Sequence, residues 1–301
     1  MRIARLAGGG GDDFWALVDP EAGTAQRIRA RFVDWASAAA TGDDSAFDLA
    51  AGELRLADHR LRAPREPGSR VFGVGLNYLE HLTRLGRREP PPHTIAYIKP
   101  ESAIIDPGGS IVYPAVTAML DFEVELVAVV ARPLGLEQRA TECLLGYTIG
   151  NDVSARDAGK QLGSLDLFTQ KALDSTAPIG PWIATLDALG GPGQPALDVE
   201  MEVNGEIRQR DNSRNMIFSL DELLNFVDAR IALRPGDLLF TGSTAGVGLE
   251  DGRFLQPGDR LTARISGIGA LDHRVGAARI LPPARQSGRL GIPAGHTADR
   301  I

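Results

Sequence analysis

The segment from residue 121 to residue 130 constrains the fold most, because acidic and apolar side chains alternate in it before the sequence becomes wholly apolar. Residues two apart in a β-strand share a face, so Asp121, Glu123 and Glu125 are predicted to project together. The strand continues through Val127 to Val130, which is typical of a buried strand. Buried carboxylates need protons, cationic partners or a metal ion. The pattern therefore predicts either a cation site or, on a solvated face, surface salt bridges.

A further carboxylate favours the cation site. Asp152 follows the apolar segment Gly146 to Gly150, at the predicted end of a neighbouring strand. Two glutamates from one strand and an aspartate from another make an all-oxygen ligand set. Such a set suits Mg²⁺ or Mn²⁺, with Ca²⁺ as a third candidate, rather than Zn²⁺. We therefore predict that Glu123, Glu125 and Asp152 hold a divalent metal ion.

The composition of the chain narrows the classes of function. The 301 residues are 43% hydrophobic and 24% charged, which is typical of a globular protein. The formal net charge of -7 argues against nucleic acid as the main partner, because phosphate binding needs a basic face. The N-terminus lacks the apolar region of a signal peptide, and the longest apolar stretch is far below the roughly 20 residues that span a bilayer. With one cysteine and no disulfide framework, we expect a cytoplasmic protein outside the membrane.

Local patterns predict an α+β fold with more strand than helix, divided into three parts. Residues 1–66 are interpreted as a small N-terminal α+β domain, with a strand near Phe14 to Val18 and a helix from Arg31 to Ala40. Residues 67–282 are the predicted catalytic domain, and residues 283–301 are a polar C-terminal tail.

Two patterns in the predicted catalytic domain are specific. Asn204-Gly205 indicates a tight turn in a hairpin between residues 199 and 209. Ser219 and Glu222 form a capping box at the start of a helix that ends near Ala229. Strands do not alternate regularly with helices, so a doubly wound sheet is not expected.

Lysine is rare in this chain. It occurs only at Lys99, Lys160 and Lys171, whereas the other basic residues are arginines. A biased genome composition explains the arginines but not the three exceptions. Since a buried lysine can lose its charge and an arginine cannot, these lysines are candidates for function.

Seven blocks of residues stand in a fixed order between Val71 and Gly276. They are Gly75-Leu-Asn-Tyr-Leu-Glu-His81, Tyr97-Ile-Lys-Pro100, Asp121-Phe-Glu-Val-Glu-Leu126, Gly146-Tyr-Thr-Ile-Gly-Asn-Asp-Val-Ser-Ala-Arg-Asp157, Lys171-Ala-Leu-Asp174 with Gly180-Pro-Trp182, Val203-Asn-Gly-Glu206, and Pro235-Gly-Asp-Leu-Leu-Phe-Thr-Gly-Ser243 with Gly246-Val-Gly248. In these blocks the chain resembles the fumarylacetoacetate hydrolase superfamily. The resemblance is to bacterial members with a short N-terminal domain, such as 2-hydroxyhepta-2,4-diene-1,7-dioate isomerases and acylpyruvate hydrolases. Any one block is weak, but all of them in order are specific.

The resemblance implies a fold, an assembly and a chemistry. The fold would be the mixed β-sandwich roll of this family, as a homodimer that binds Mg²⁺ or Mn²⁺ through the three carboxylates named above. Family substrates are small 2-oxo acids, and family reactions are C–C bond hydrolysis, decarboxylation, keto–enol isomerisation and hydration. The resemblance further implies a general base, His81, and the substrate contacts Arg156, Lys171, Thr241 and Ser243.

The implied residues fit one chemistry, in which a metal ion stabilises an enolate. Arg156 is expected to clamp a substrate carboxylate, or else to pair with Asp152 or Asp157 on a helix surface. Lys171 is expected to have a lowered pKa near the metal and to polarise a carbonyl or move a proton. A histidine such as His81 suits general-base catalysis near neutral pH.

One position departs from the family pattern. Many family hydrolases and decarboxylases have a glutamate three residues after the histidine, and this chain has Arg84 there. An arginine cannot accept the imidazole proton, which puts water activation by His81 in question. Glu80 or Glu89 could replace the missing glutamate, Arg84 could bind an anionic end of the substrate, or the enzyme needs no activated water.

These inferences predict a metal-dependent enzyme that acts on 2-oxo or 1,3-dicarbonyl acids through a metal-stabilised enolate. The primary prediction is a C–C bond hydrolase of an acylpyruvate-type substrate, of the kind used in aromatic catabolism. The alternatives are an isomerase or decarboxylase of a 2-oxo (2-hydroxydienoic) acid, which Arg84 favours, and a non-catalytic homologue that binds metal and 2-oxo acid.

Overall fold

The computed structural model describes residues 1–9, 12–136, 139–158 and 166–279. The predicted tail at residues 283–301 lies outside the described residues, as does Lys160. Strands predominate over helices in the described ranges, which confirms the α+β prediction. No helix in these ranges is both long and apolar enough to cross a membrane.

The regular elements are numbered in chain order. The strands are β1 (Arg2–Leu6), β2 (Phe14–Asp19), β3 (Thr24–Ile28), β4 (Leu54–Arg55), β5 (Leu61–Arg62), β6 (Val71–Gly75), β7 (Ile95–Lys99), β8 (Ile104–Ile105), β9 (Ser110–Tyr113), β10 (Leu120–Asp121), β11 (Val124–Val130), β12 (Leu144–Asn151), β13 (Ser154–Ala155), β14 (Ala177–Thr185), β15 (Asp198–Val203), β16 (Glu206–Asn212), β17 (Leu238–Phe240), β18 (Arg260–Ile265) and β19 (Gly269–Ala278). The α-helices are α1 (Phe32–Ala39), α2 (Leu79–Arg84), α3 (Leu167–Lys171), α4 (Leu220–Asp228) and α5 (Gly248–Asp251).

Two sheets pack face to face around the main hydrophobic core. The larger sheet has the order β4-β3-β2-β1-β14-β12-β11-β17-β6-β7, with β5 beside β1 and β8 beside β14. The second sheet has the order β16-β15-β18-β19-β9. One cluster of buried side chains joins Leu126 and Ile149 of the first sheet to Met201 and Leu271 of the second. This arrangement is a mixed β-sandwich, and its central strands β11 and β12 are buried along their whole length.

The N-terminal strands belong to the larger sheet. β1 pairs antiparallel with β14 through Arg2 opposite Ala184 and Ile3 opposite Ile183. Side chains from both parts of the chain also share one buried cluster, which includes Trp35 and Val127. The N-terminal residues therefore extend the scaffold of the site, and the division at residue 66 stays a prediction.

The local predictions that rest on turn and cap chemistry are confirmed. The helix expected from Arg31 to Ala40 is α1. The hairpin turns at Asn204 and Gly205, whose φ angles of 52° and 85° are those that a tight two-residue turn requires. Ser219 accepts a hydrogen bond from the Glu222 N–H at the start of α4, and the Glu222 carboxylate accepts one from the Ser219 N–H in return.

The strand predicted from residue 121 to residue 130 is interrupted. β10 ends at Asp121 and β11 begins at Val124, because side chains hold the backbone between them. The Glu123 N–H donates to the Asn151 Oδ1 at 2.8 Å, and the Val124 N–H donates to the Gln209 Oε1 at 3.0 Å. The predicted strand is therefore not continuous, and Asp121 lies outside the group of carboxylates that meets Asp152, although Arg156 binds both Asp121 and Glu123.

A buried histidine joins the two sheets beside this interruption. The His273 Nε2 of β19 lies 2.8 Å from the Asn151 Nδ2 of β12. The Asn151 Oδ1 already accepts from the Glu123 N–H, so the Nδ2 must donate and the His273 Nε2 must accept. His273 is therefore neutral, and burial lowers the pKa of its imidazole to about 4.

This contact predicts a pH-dependent contribution to stability. An unfolded histidine binds a proton near pH 6.5 but folded His273 only near pH 4, so the unfolded state gains its proton first as the pH falls. Wild-type protein should lose about 3 kcal/mol more unfolding free energy than the His273→Gln variant between pH 7 and pH 4. The glutamine Oε1 keeps an acceptor for Asn151 but does not titrate. Urea unfolding in EDTA at both pH values measures the difference, and identical pH profiles would contradict the assignment.

Candidate metal centre

Three buried carboxylates meet where β11 and β12 lie side by side. Val124 pairs with Asn151 across these strands, which brings Glu123 and Glu125 next to Asp152. One carboxylate oxygen from each of the three lies within 4.8 Å of the other two. Their exposed fractions are 6%, 1% and 0%. This is the set that the sequence predicts as metal ligands, and its oxygen atoms suit Mg²⁺ or Mn²⁺.

Lysine and arginine side chains compensate two of these carboxylates. The Lys171 Nζ donates to the Glu123 Oε2 at 2.5 Å and to the Asp152 Oδ2 at 2.7 Å. The Lys99 Nζ donates to the Asp152 Oδ1 at 2.5 Å, and the Arg156 Nη2 donates to the Glu123 Oε1 at 2.5 Å. Burial by itself would raise the pKa of Asp152, but Lys171 and Lys99 lower it below its usual value. Burial would also raise the pKa of Glu123, but Arg156 and Lys171 lower it below its usual value.

Glu125 is the carboxylate of the three to which no lysine or arginine of the described residues is bound. Its Oε2 accepts the Gly242 N–H at 2.7 Å, but its buried Oε1 has no hydrogen-bond partner among the described residues. Burial, with the negative charges of Asp152 and Glu123, raises the pKa of Glu125 well above its usual value. A buried oxygen without a partner costs free energy, and a divalent cation shared with Glu123 and Asp152 would remove that cost. The residues present therefore fit a bound Mg²⁺ or Mn²⁺.

The pKa of Lys171 differs from the sequence expectation. Burial lowers this pKa, but the charges of Asp152 and Glu123 outweigh burial and raise it above its usual value. The expected lowering depended on the charge of a nearby metal ion alone. The expectation refers to the metal-bound protein and stays a prediction; here Lys171 is the direct counter-ion of the Glu123 and Asp152 carboxylates.

His81 lies on α2 and is paired with a distant glutamate. Its Nδ1 is 2.7 Å from the Oε1 of Glu250, on α5, and both side chains are 6% exposed. The Glu250 Oε2 accepts the Gly246 N–H at 2.8 Å, which fixes the carboxylate. No described residue hydrogen-bonds to the Nε2 of His81. A proton on Nδ1 can therefore be donated to Glu250 while Nε2 is left as an acceptor.

Arg84 does not take the place of an orienting glutamate, and neither candidate replacement does. Arg84 is bound to Glu80 through its Nη2, so Glu80 is occupied on the outer face of α2. The Nη1 of Arg84 lies 3.5 Å from the Oε2 of Glu250, and half of its side chain is exposed. Glu89 is exposed. The carboxylate that the family pattern leads one to expect on α2 comes instead from Glu250.

Arg156 is buried beneath the carboxylates rather than on a helix surface. Its Nε donates to the Asp121 Oδ2 at 2.8 Å, and its Nη2 reaches Glu123. The alternative pairing with Asp152 or Asp157 does not occur. Burial lowers the pKa of Arg156, but Glu123 and Asp121 raise it above its usual value, so the guanidinium is charged.

Thr241 and Ser243 flank the backbone amide that binds Glu125. The Thr241 Oγ1 donates to the Leu126 carbonyl at 2.9 Å, and the Ser243 Oγ donates to the Val124 carbonyl at 3.2 Å. Both hydroxyls thus anchor the segment after β17 to β11, and Gly242 between them donates to Glu125. Their predicted contact with substrate stays a prediction.

Sequence reasoning missed two residues that contact the site, Tyr97 and Glu250, and assigned no specific role to a third, Lys99. Tyr97 and Lys99 both bind Asp152, and Glu250 binds His81. The rarity of lysine had marked Lys99 as a candidate, and Tyr97 shares its strand face because it lies two residues earlier. Glu250 is 169 residues from His81, and no local pattern indicated their contact.

The chain is similar to known proteins in both sequence and fold. Residues 70–276 match the family model described as fumarylacetoacetate (FAA) hydrolase C-terminal. The chain is 37% identical over 280 residues to Protein Rv2993c of Mycobacterium tuberculosis, which covers 91% of this chain and 98% of that protein.

Two solved structures show the same fold. The 2-hydroxyhepta-2,4-diene-1,7-dioate isomerase from Mycobacterium marinum has a TM-score of 0.72 and 32% identity, over 92% of this chain and 98% of that chain. The fumarylpyruvate hydrolase from Pseudomonas aeruginosa, in complex with Mn²⁺ and pyruvate, has a TM-score of 0.61 and 31% identity, over 72% of this chain and 92% of that chain. Because the family model spans most of the chain and a similar relative covers nearly all of it, this chain belongs to the fumarylacetoacetate hydrolase family of enzymes.

Proposed function

We propose that this enzyme uses a divalent metal ion to act on a 2-oxo or 1,3-dicarbonyl acid through an enolate, and that it hydrolyses a C–C bond of an acylpyruvate-type substrate. The observation that carries the proposal is the cluster of Glu123, Glu125 and Asp152, in which Glu125 has an unpartnered buried oxygen. A cation bound there, Mg²⁺ or Mn²⁺, supplies Lewis-acid stabilisation of the developing oxyanion. The likeness to a fumarylpyruvate hydrolase that binds Mn²⁺ and pyruvate supports the same substrate class.

Hydrolysis requires a base that can take a proton from water, and the His81–Glu250 pair supplies one. Glu250 accepts the Nδ1 proton of His81 at 2.7 Å and stabilises the imidazolium that forms when Nε2 takes a second proton. Arg84 would prevent water activation only if the carboxylate that orients His81 had to come from α2. Because Glu250 of α5 contacts His81 instead, the presence of Arg84 is no longer an argument against hydrolysis.

Buried cations fit the acidic end of such a substrate. Lys171 and Arg156 face Glu123 from two sides and remain charged. Each has N–H groups that can bind a carboxylate or a polarised carbonyl oxygen. Arg84, half exposed beside Glu250, is positioned to bind a second anionic end of the substrate. Thr241 and Ser243 complete the proposed substrate contacts, and a homodimer is the proposed assembly.

Isomerisation or decarboxylation is the second candidate. It is favoured by the likeness to a 2-hydroxyhepta-2,4-diene-1,7-dioate isomerase, which covers nearly the whole chain. The same His81 could move a proton between carbon and oxygen of an enolate without water. A non-catalytic homologue is less well supported, because a binding protein has no need of a buried His–Glu pair whose Nε2 is left as an acceptor.

A metal-dependent activity screen tests the proposed reaction. EDTA-treated protein is assayed with acylpyruvates, oxaloacetate and 2-hydroxydienoates, with and without Mn²⁺. Carboxylic acid product, CO₂ and ultraviolet absorbance are followed together. We expect Mn²⁺-dependent cleavage of an acylpyruvate into pyruvate and a second acid. Absorbance change without cleavage, or CO₂ release, would support the second candidate instead, and binding of oxalate without turnover of any substrate would contradict both.

Replacing Glu250 by glutamine tests the proposed base. The variant keeps the size of the side chain but removes the charge that stabilises protonated His81, so kcat should fall by about 10²-fold, at the lower end of general-base contributions. Its affinity for Mn²⁺, measured by calorimetry, should not change. Glu80→Gln is the matched control, because Glu80 is a glutamate on the outer face of α2 that pairs with Arg84. A loss of kcat in Glu80→Gln but not in Glu250→Gln would contradict this assignment.

A further inference from the structure

Asp121 is a buried carboxylate that neither the metal cluster nor the proposed proton transfer uses. It is fully buried, and each of its oxygens accepts two hydrogen bonds. The Oδ1 accepts from the N–H groups of Phe122 at 2.9 Å and Gly248 at 2.6 Å. The Oδ2 accepts from the Leu249 N–H at 3.0 Å and the Arg156 Nε at 2.8 Å. All four acceptor positions of the carboxylate are therefore filled.

One of these four contacts, with Arg156, leads to the predicted metal ligands. Asp121 fixes the Nε edge of the Arg156 guanidinium, which leaves the Nη2 to reach the Glu123 Oε1 at 2.5 Å. A guanidinium is rigid and planar, so holding one edge sets the direction of the other donors. Without the charge of Asp121, Glu123 would be the remaining carboxylate close to Arg156. Arg156 would then compete with a metal ion for Glu123.

Two of the other contacts, with Gly248 and Leu249, lead to the proposed base. Gly248 and Leu249 begin α5, and Glu250 follows them at once, so Asp121 fixes the backbone that carries the partner of His81. A Cβ at residue 248 would lie 2.8 Å from the Asp121 Oδ1 and 2.5 Å from the Arg253 carbonyl oxygen. Glycine is thus required for this close approach of backbone to carboxylate.

We propose that Asp121 is a positioning residue that couples the two halves of the active site: it directs Arg156 onto a metal ligand and holds α5 so that Glu250 contacts His81. The second half of this proposal rests on the proposed function, in which His81 is the base. A purely structural role is the competing explanation, because buried aspartate–arginine pairs also occur away from the site. Asp237 is such a case, fully buried and bound to the Nε of Arg70 at 3.0 Å.

The Asp121→Asn variant tests both halves by two independent measurements. Asparagine keeps one acceptor oxygen and replaces the other with an NH₂ group. Because both Asp121 oxygens accept from N–H groups, that NH₂ would face donors with which it cannot form a hydrogen bond. Calorimetry with Mn²⁺ on EDTA-treated protein should show a Kd raised by about tenfold or more, since Arg156 without the charge of Asp121 would compete with the metal ion for Glu123. On the substrate found in the screen, kcat at saturating Mn²⁺ should also fall at least about tenfold with KM little changed. Asp237→Asn, the matched control, should lower thermal stability without changing the Mn²⁺ Kd or kcat.

A second variant separates the two halves and does not depend on whether Asp121→Asn folds. Gly248→Ala leaves Asp121 and Arg156 charged, but its Cβ displaces α5 from both the Asp121 carboxylate and the Arg253 carbonyl oxygen. Its kcat should fall while its Mn²⁺ Kd stays that of wild type. If Gly248→Ala has wild-type kcat, α5 does not depend on its contact with Asp121 and the coupling is contradicted.

A double-mutant cycle decides between positioning and general stabilisation. If Asp121 acts on turnover through Glu250, Asp121→Asn combined with Glu250→Gln should reduce kcat little more than Glu250→Gln alone. Independent, multiplicative losses would overturn the proposal, as would Asp121→Asn with wild-type Mn²⁺ Kd and kcat. If Glu250→Gln alone leaves kcat unchanged, the proposed base is wrong and the second half falls with it. The Mn²⁺ Kd of Asp121→Asn then still decides the first half.

Discussion

Burying three carboxylates within 4.8 Å of one another is the constraint on which the rest of this structure depends. Desolvation and mutual repulsion both oppose ionisation at this spacing. The chain offsets that cost with Lys99, Lys171 and Arg156, which bind Asp152 and Glu123. No lysine or arginine among the described residues binds Glu125, and burial, with the charges of Asp152 and Glu123, raises its pKa. A divalent cation bound at this site would supply the positive charge beside Glu125 that the described side chains do not.

The fold provides the rigidity that this arrangement needs. The three carboxylates lie on or directly beside β11 and β12, strands of the larger sheet that are buried along their whole length. Asn151 holds the Glu123 backbone from the neighbouring strand, and His273 of the second sheet holds Asn151 in turn. The metal site and the His81–Glu250 pair are then joined through Asp121. Ligation and proton transfer can therefore be set by one connected network of buried hydrogen bonds.

The sequence predicts those features that local chemistry determines. Glu123 and Asp152 could be assigned because burying an ionised carboxylate on a strand, or at its end, costs free energy that a bound cation can offset. Asp121 could not be assigned, because the strand is broken there by an asparagine side chain 30 residues later. Glu250 was missed because its contact with His81 spans 169 residues. Lys171 was predicted to lie near the carboxylates, but its direct pairing with Asp152 and Glu123, which raises its pKa, was not.

The central claim is that Glu123, Glu125 and Asp152 bind one divalent cation, and Mn²⁺ anomalous scattering tests it most directly. Crystals of EDTA-treated protein are soaked in Mn²⁺, and diffraction is measured above and below the manganese absorption edge. The account predicts one strong anomalous peak at bonding distance, about 2.2 Å, from an oxygen of each of the three carboxylates. No peak between them at saturating Mn²⁺, or a peak bound by other residues, would contradict the account.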